Sequence, residues 1–170
     1  MKVIEAMKMV KANREKIADL QAKIAANCAG LSHETPVYGA DTARVVNGWL
    51  QACQDLSQEC AKLLVRISKT NIQTNVSITI AGQVVTKSIA EWVWRRREFA
   101  VLDLKSVSVL GDRGLREGAV NVGTAQPLEV KIVRYFDPMQ RDKLADMYRS
   151  EPHLIDAALE VVNAVTELVE

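Results

Sequence analysis

The chain has 170 residues, with 22 Lys and Arg against 21 Asp and Glu, and 48% of it is hydrophobic. That length buries a core without disulfides or metal, and a net charge of +1 excludes a general attraction to nucleic-acid polymers or membrane surfaces, so any basic function has to be local. The opening MKVIEAMKMVKANREK mixes charge into the apolar positions, which excludes a signal peptide or spanning helix in this stretch and leads us to expect a cytoplasmic protein.

From Val3 to about Cys28, Ile4, Met7, Val10, Ile17, Leu20 and Ile24 recur at helical spacing between charged residues, which predicts one long amphipathic helix. GLSHETPVYGADT, with Gly30, Pro36 and Gly39, punctuates the chain before Val45, Trp49, Ala52, Leu56, Leu63 and Ile67 resume that period. Two long antiparallel helices are therefore expected. At Asn71 the pattern changes: TNVSITIAGQVVTKS alternates β-branched residues around Ala81-Gly82, a β-hairpin signal. Ser88 and Glu91 in SIAE have capping-box spacing and predict a third helix through WVWRRREFAVLDLKSV.

GDRGLREG, with Gly111, Gly114 and Gly118, reads as a flexible connection. LEVKIVRYF alternates as a strand, and Asp137-Pro138 supplies an N-cap and first-turn proline for a helix that Pro152 should interrupt or restart. HLIDAALEVVNAVTELVE starts helically, and its valine-rich last turn fits helix or extended chain equally. The expected fold class is α+β, mainly helical, as a single domain over 1–170. It comprises a helical arm (2–70), a hairpin and helix (71–110), a loop (111–127), and a strand with C-terminal helices (128–170).

Chemistry is sparse. Cys28, Cys53 and Cys60 are odd in number and lack CxxC spacing, and His33 and His153 are far apart in sequence. No metal site or cofactor is expected, and the cysteines read as buried free thiols. No nucleophile elbow is present, and GDRGLREG lacks the Lys-Ser/Thr ending of a phosphate loop. A non-enzyme is expected, with no catalytic residues.

Two arginine-aromatic clusters stand out. In WVWRRREFA, Trp92, Trp94 and Phe99 surround Arg95, Arg96 and Arg97. Successive helical residues point about 100° apart, so at most two of these arginines serve one ligand. Trp92 and Arg96, four apart, suit a platform under a planar base; a buried Trp92 with solvated or salt-bridged arginines fits equally. In VRYFDPMQR, Arg134 and Tyr135 leave the expected strand on opposite faces and Arg141 lies in the next helix's first turn, where free amides and a planar fork can hold a phosphate. An interchain salt bridge would look the same in sequence. Asn71, Thr74, Asn163 and Thr166 are polar residues in apolar surroundings, suited to satisfying backbone at element ends or to a pocket floor.

Two long helices, a hairpin starting ISKTNIQTNVSI, a capped helix and the ending VVNAVTELVE resemble the phage-encoded Thoeris anti-defence sponges of the first described type. The TNxxT junction and SIAEWVWRRR are similar to an uncharacterised bacterial family once labelled septicolysin-like. Residues 30–42 and 111–127 have no counterpart in these families.

The resemblance implies a sponge in the host cytoplasm that binds cyclic ADP-ribose signals, notably glycocyclic forms, without cleaving them. It also implies a homo-oligomer, since some relatives form hexamers, and some also hold cyclic trinucleotides at separate sites. Such ligands call for arginines, an aromatic face and polar groups for ribose. On that chemistry the candidate ligand residues are Trp94, Arg95, Arg96, Phe99, Arg134, Tyr135, Arg141, Asn163 and Thr166. The alternative is a non-enzymatic structural or assembly protein, such as a virion component, in which the same helices make subunit interfaces.

Overall fold

The structure, a computed structural model, describes residues 1–120, 123 and 127–169. Its elements are α1 (Val3–Asn27), α2 (Thr42–Gln73), β1 (Asn75–Ile80), β2 (Gln83–Ser88), α3 (Ile89–Trp94), a π-helical turn (Arg95–Phe99), α4 (Ala100–Ser108), β3 (Gly118–Val120), β4 (Leu128–Val130) and α5 (Pro138–Val165). The expected class, α+β and mainly helical, is what the chain adopts. Among the described residues, no helix is long and apolar enough to cross a membrane. The chain divides into two compact units: residues Met1–Asn75 with Ser88–Ala90 and the stretch from Leu159 onward, and residues Val76–Lys87 with Glu91–Ala158.

The first unit is built on the α1–α2 pair. Along α1 the inward positions Val3, Ala6, Val10, Asn13, Ile17, Leu20 and Ile24 recur at alternating steps of three and four. Along α2 the same rhythm links Val46, Trp49, Cys53, Leu56, Cys60, Leu63, Ile67 and Thr70, and every one of these positions is buried or half-buried. That seven-residue rhythm keeps a seam facing a partner helix, as in a coiled coil. Antiparallel register is fixed by Asn13 Nδ2 donating to Glu59 Oε2 at 3.1 Å and by the Cys60 thiol approaching the Val10 carbonyl at 3.9 Å. Met7, expected inward, is exposed, because the seam runs through Val3 and Ala6 instead.

After α5 the chain becomes extended. Lys2 and Glu167 form an antiparallel bridge, and the Leu168 amide donates to the Met1 carbonyl at 2.8 Å. On the α2 side, the Thr70 hydroxyl accepts from the Val169 amide and Arg66 Nε donates to the Val169 carbonyl. The last turn, left open by its sequence, thus resolves to extended chain because backbone partners wait on both sides.

In the second unit, β1 buries Val76, Ile78 and Ile80 while Asn75, Ser77 and Thr79 face outward. Ala81 and Gly82 both have positive φ, 49° and 81°, as a two-residue hairpin turn requires. Helix α5 begins as expected: Asp137 Oδ1 accepts the Met139 amide at 2.9 Å and Pro138 is the first helical residue. The predicted interruption at Pro152 does not occur, and α5 is continuous through it. Proline forfeits one hydrogen bond, and the adjoining Glu151 is clamped by Arg95.

The predicted strand over LEVKIVRYF is also shorter. It ends at Val130, since its partner β3 spans three residues, with Gly118 opposite Val130. The Ile132 amide then turns to the Glu117 carboxylate.

Candidate functional site

The third helix does not keep α-helical geometry. Across Arg95–Phe99 it widens into a π turn, and the Ala100 amide reaches back five residues to the Arg95 carbonyl. In a regular α-helix residues five apart point about 140° away from each other; a turn closed by i→i+5 bonds takes in an extra residue and brings them near one face. Trp94 and Phe99 are such a pair. Both line one open cleft of about 620 Å³ together with Lys87, Glu91, Arg95 and Glu98. Trp94 is 59% and Phe99 48% exposed, so two aromatic surfaces are presented to solvent.

Beneath this surface the arginines are already engaged. Arg95 donates through Nε and Nη2 to both oxygens of Glu151, at 2.7 and 2.8 Å, and through Nη1 to Asp103. Glu151 is 4% exposed, and these hydrogen bonds hold the Arg95 guanidinium firmly in its charged form, against the opposing effect of partial burial. The Tyr148 ring lies 5.5 Å from the Arg95 guanidinium carbon. Arg96 pairs with Asp156. Arg95 and Arg96 thus meet different carboxylates, Glu151 and Asp103 for the first and Asp156 for the second. Trp92 is buried, its indole donating to the Val76 carbonyl at 2.9 Å, and Lys87 Nζ sits 5.5 Å from its ring centroid. The platform expected from Trp92 with Arg96 is replaced by a buried Trp92 and a salt-bridged Arg96, and the exposed aromatic surface comes from Trp94.

The second cluster lines a smaller cleft of about 280 Å³. There Arg134 makes a two-pronged pair with Asp112 at 2.6 and 2.7 Å, which holds the Asp112 carboxyl below the usual aspartate range and raises Arg134. Tyr135 is 96% exposed. Neither residue leaves a strand, because β4 stops four residues before Arg134. Arg141 does lie in the first turn of α5, but its guanidinium meets Asp142, the Leu110 carbonyl and the Phe136 ring. Arg134 and Arg141 therefore have carboxylate partners within the chain.

Asn163 and Thr166 belong to the first unit and line neither cleft. They have a counterpart in Asn71 and Thr74. Each N-x-x-T stretch ends a helix, and in each the threonine carbonyl accepts the first amide of another helix: Ile89 on Thr74 and Val3 on Thr166. Satisfying backbone at element ends is thus the role seen, carried out by the threonine backbone. The Asn71 and Asn163 Oδ1 atoms are buried and have no partner among the described residues. The cysteines differ from expectation: only Cys60 is buried, Cys53 is half-buried and Cys28 is exposed, because Cys28 lies just past α1, outside the packed seam.

Lys87 and Glu98 belong to the cleft and carry no signal in the sequence by themselves, and Glu91, expected as a capping residue, lines it as well. Their helical spacing to Trp94 could have found the two glutamates, but nothing marks the π turn. Among the described residues, no cluster of three or more His, Cys, Asp or Glu side chains could hold a metal ion.

Comparison with protein-family models and with curated protein sequences gives no match. Among solved structures, the chain is similar to a functionally unknown conserved protein from Corynebacterium diphtheriae. The identity is 19% over 99% of both chains, with a TM-score of 0.59. That similarity establishes a shared fold.

Proposed function

We propose that the chain is a non-catalytic binder that sequesters a small cyclic ADP-ribose-type signal, with the Lys87–Trp94–Phe99 cleft as its capture site. The observation that supports this is the π turn, which sets two exposed aromatic side chains into one cleft of a size usual for small-molecule sites. An adenine stacks on Trp94 or Phe99, and Lys87 meets a phosphate. Arg95 and Arg96 take no part in this reading, since they are committed to Glu151, Asp103 and Asp156.

The test is to incubate the protein with cyclic ADP-ribose isomers, remove free ligand, denature by heat and chromatograph what is released. Intact ligand from the wild type, and at least tenfold less from Trp94→Ala, is expected. Equal recovery from both, or recovery of a hydrolysed product, overturns the reading.

A second reading, a non-enzymatic assembly protein, is favoured by β3 and β4, in which every residue is exposed. Such a protein captures no ligand in the same assay.

A further inference from the structure

Trp94 is flanked along its helix by two carboxylates. Glu91 lies three residues before it and Glu98 four after, spacings that set side chains one turn away on the same face. Both line the cleft together with Trp94 and Phe99, so the two exposed rings face solvent between acidic groups.

The cations of the cleft do not balance these carboxylates. The Arg95 guanidinium is shared between Glu151 and Asp103, so one positive charge meets two negative ones and that group is net negative. The Lys87 ammonium lies 5.5 Å from the centroid of the Trp92 ring. Arg96 is paired with Asp156, and Arg97, which is exposed, lies outside the lining. Around Trp94 and Phe99, Glu91, Glu98, Glu151 and Asp103 thus stand against Lys87 and Arg95.

Stacking alone does not discriminate among bases, since every base has a π face. Charge does. The face of an indole ring attracts a cation, and the flanking carboxylates act in the same direction. A planar, positively charged base therefore gains in this cleft what a neutral base of the same shape does not.

Among adenine-bearing ligands, one bond decides the charge of the base. Adenine with ring nitrogen N1 unsubstituted is neutral at neutral pH. Adenine alkylated or glycosylated at N1 becomes an amidine that keeps its proton there. The positive charge then spreads over the ring and the exocyclic amine, whose N–H groups become charge-assisted donors to a carboxylate. Cyclic ADP-ribose closed through N1 carries this cation, whereas the glycocyclic isomers are closed through a ribose oxygen and leave N1 free.

We infer, on the reading that this cleft captures an adenine-bearing signal, that it selects an adenine made cationic by substitution at N1, and so favours the N1-linked cyclic isomer over glycocyclic ones. Trp94 or Phe99 stacks on the charged ring, Glu98 and Glu91 supply the counter-charge, and Lys87 is left for the phosphates.

The probes are 1-methyladenosine, a cation at neutral pH, and its neutral isomer N6-methyladenosine, each titrated into the full chain by calorimetry. The wild type should bind 1-methyladenosine about tenfold more tightly, equivalent to about 1.4 kcal/mol, and should retain the N1-linked cyclic isomer better than a glycocyclic one by a similar factor. Glu98 is exposed, so Glu98→Gln removes a charge without disturbing packing, and it should lose most of that preference. Equal binding of the two nucleosides, abolished for both in Trp94→Ala, overturns this inference and leaves the capture reading standing. Binding of neither nucleoside and of no cyclic isomer overturns both. A preference for 1-methyladenosine that is undiminished in Glu98→Gln also overturns the inference, because the selecting charge is then not the one beside Trp94.

Discussion

Arg95 and Arg134 make similar two-pronged carboxylate pairs in different surroundings, and the surroundings decide what each contributes. The Arg95 partner Glu151 is nearly inaccessible, so removing the guanidinium strands a charge away from water. Arg95→Ala should lower stability by on the order of 2–3 kcal/mol, read by urea unfolding with tryptophan fluorescence; Arg134→Ala, at an open surface pair, should shift the transition far less. Equal effects would contradict this division. The Asp112–Arg134 pair is instead visible through pH. Because the hydrogen bond from Arg134 lowers the folded-state pKa of Asp112, its contribution is complete above the ordinary aspartate value. It persists somewhat below that value and is lost as pH falls through the depressed one. The Asp112 carboxyl signal in an NMR titration should therefore shift at lower pH than free aspartate, and return to the ordinary range in Arg134→Ala. Sequence indicated that Arg95, Arg96 and Arg97 cannot all face one ligand, because backbone geometry alone decides that. It could not name Glu151 or Asp156, since those pairings depend on how α5 packs more than fifty residues away.

Local periodicity carried most of what was readable about the elements. The α1 and α2 seams and the β1–β2 hairpin follow from spacing and turn chemistry that neighbours in sequence determine. The hairpin turn nevertheless contains a residue that its geometry disfavours: Ala81 has φ 49°, a left-handed conformation in which its Cβ crowds the following carbonyl. Asparagine tolerates that conformation, and Asn-Gly is a favoured pair in such turns. Ala81→Asn should therefore stabilise the second unit by about 0.5–1 kcal/mol, seen as a higher urea midpoint, and a lower midpoint would mean that the turn adopts another geometry. The overestimated strand after Val130 and the expected break at Pro152 share one cause. Alternation and proline report what the local chain prefers, whereas strand length depends on β3, and α5 runs on through Pro152 in a stretch where Glu151 is held by Arg95.

Over the whole molecule, mainly helical architecture was legible because the charged and apolar residues of nearly every element keep time with it. The same architecture occurs at 19% identity in the Corynebacterium protein, as expected when pattern rather than particular side chains specifies a fold. The Trp94–Phe99 cleft was only partly legible: Trp94 and Phe99 stood out as aromatic residues, but five-residue spacing sends them apart on any α-helix. Their meeting depends on one extra residue accommodated between Arg95 and Phe99. Deleting one residue between Trp94 and Phe99 would restore regular winding and leave the two aromatic side chains four apart, still neighbours on one face. Straightening the turn at unchanged length would instead send them about 140° apart, so the cleft tolerates a shorter chain there better than a regular helix of the same length.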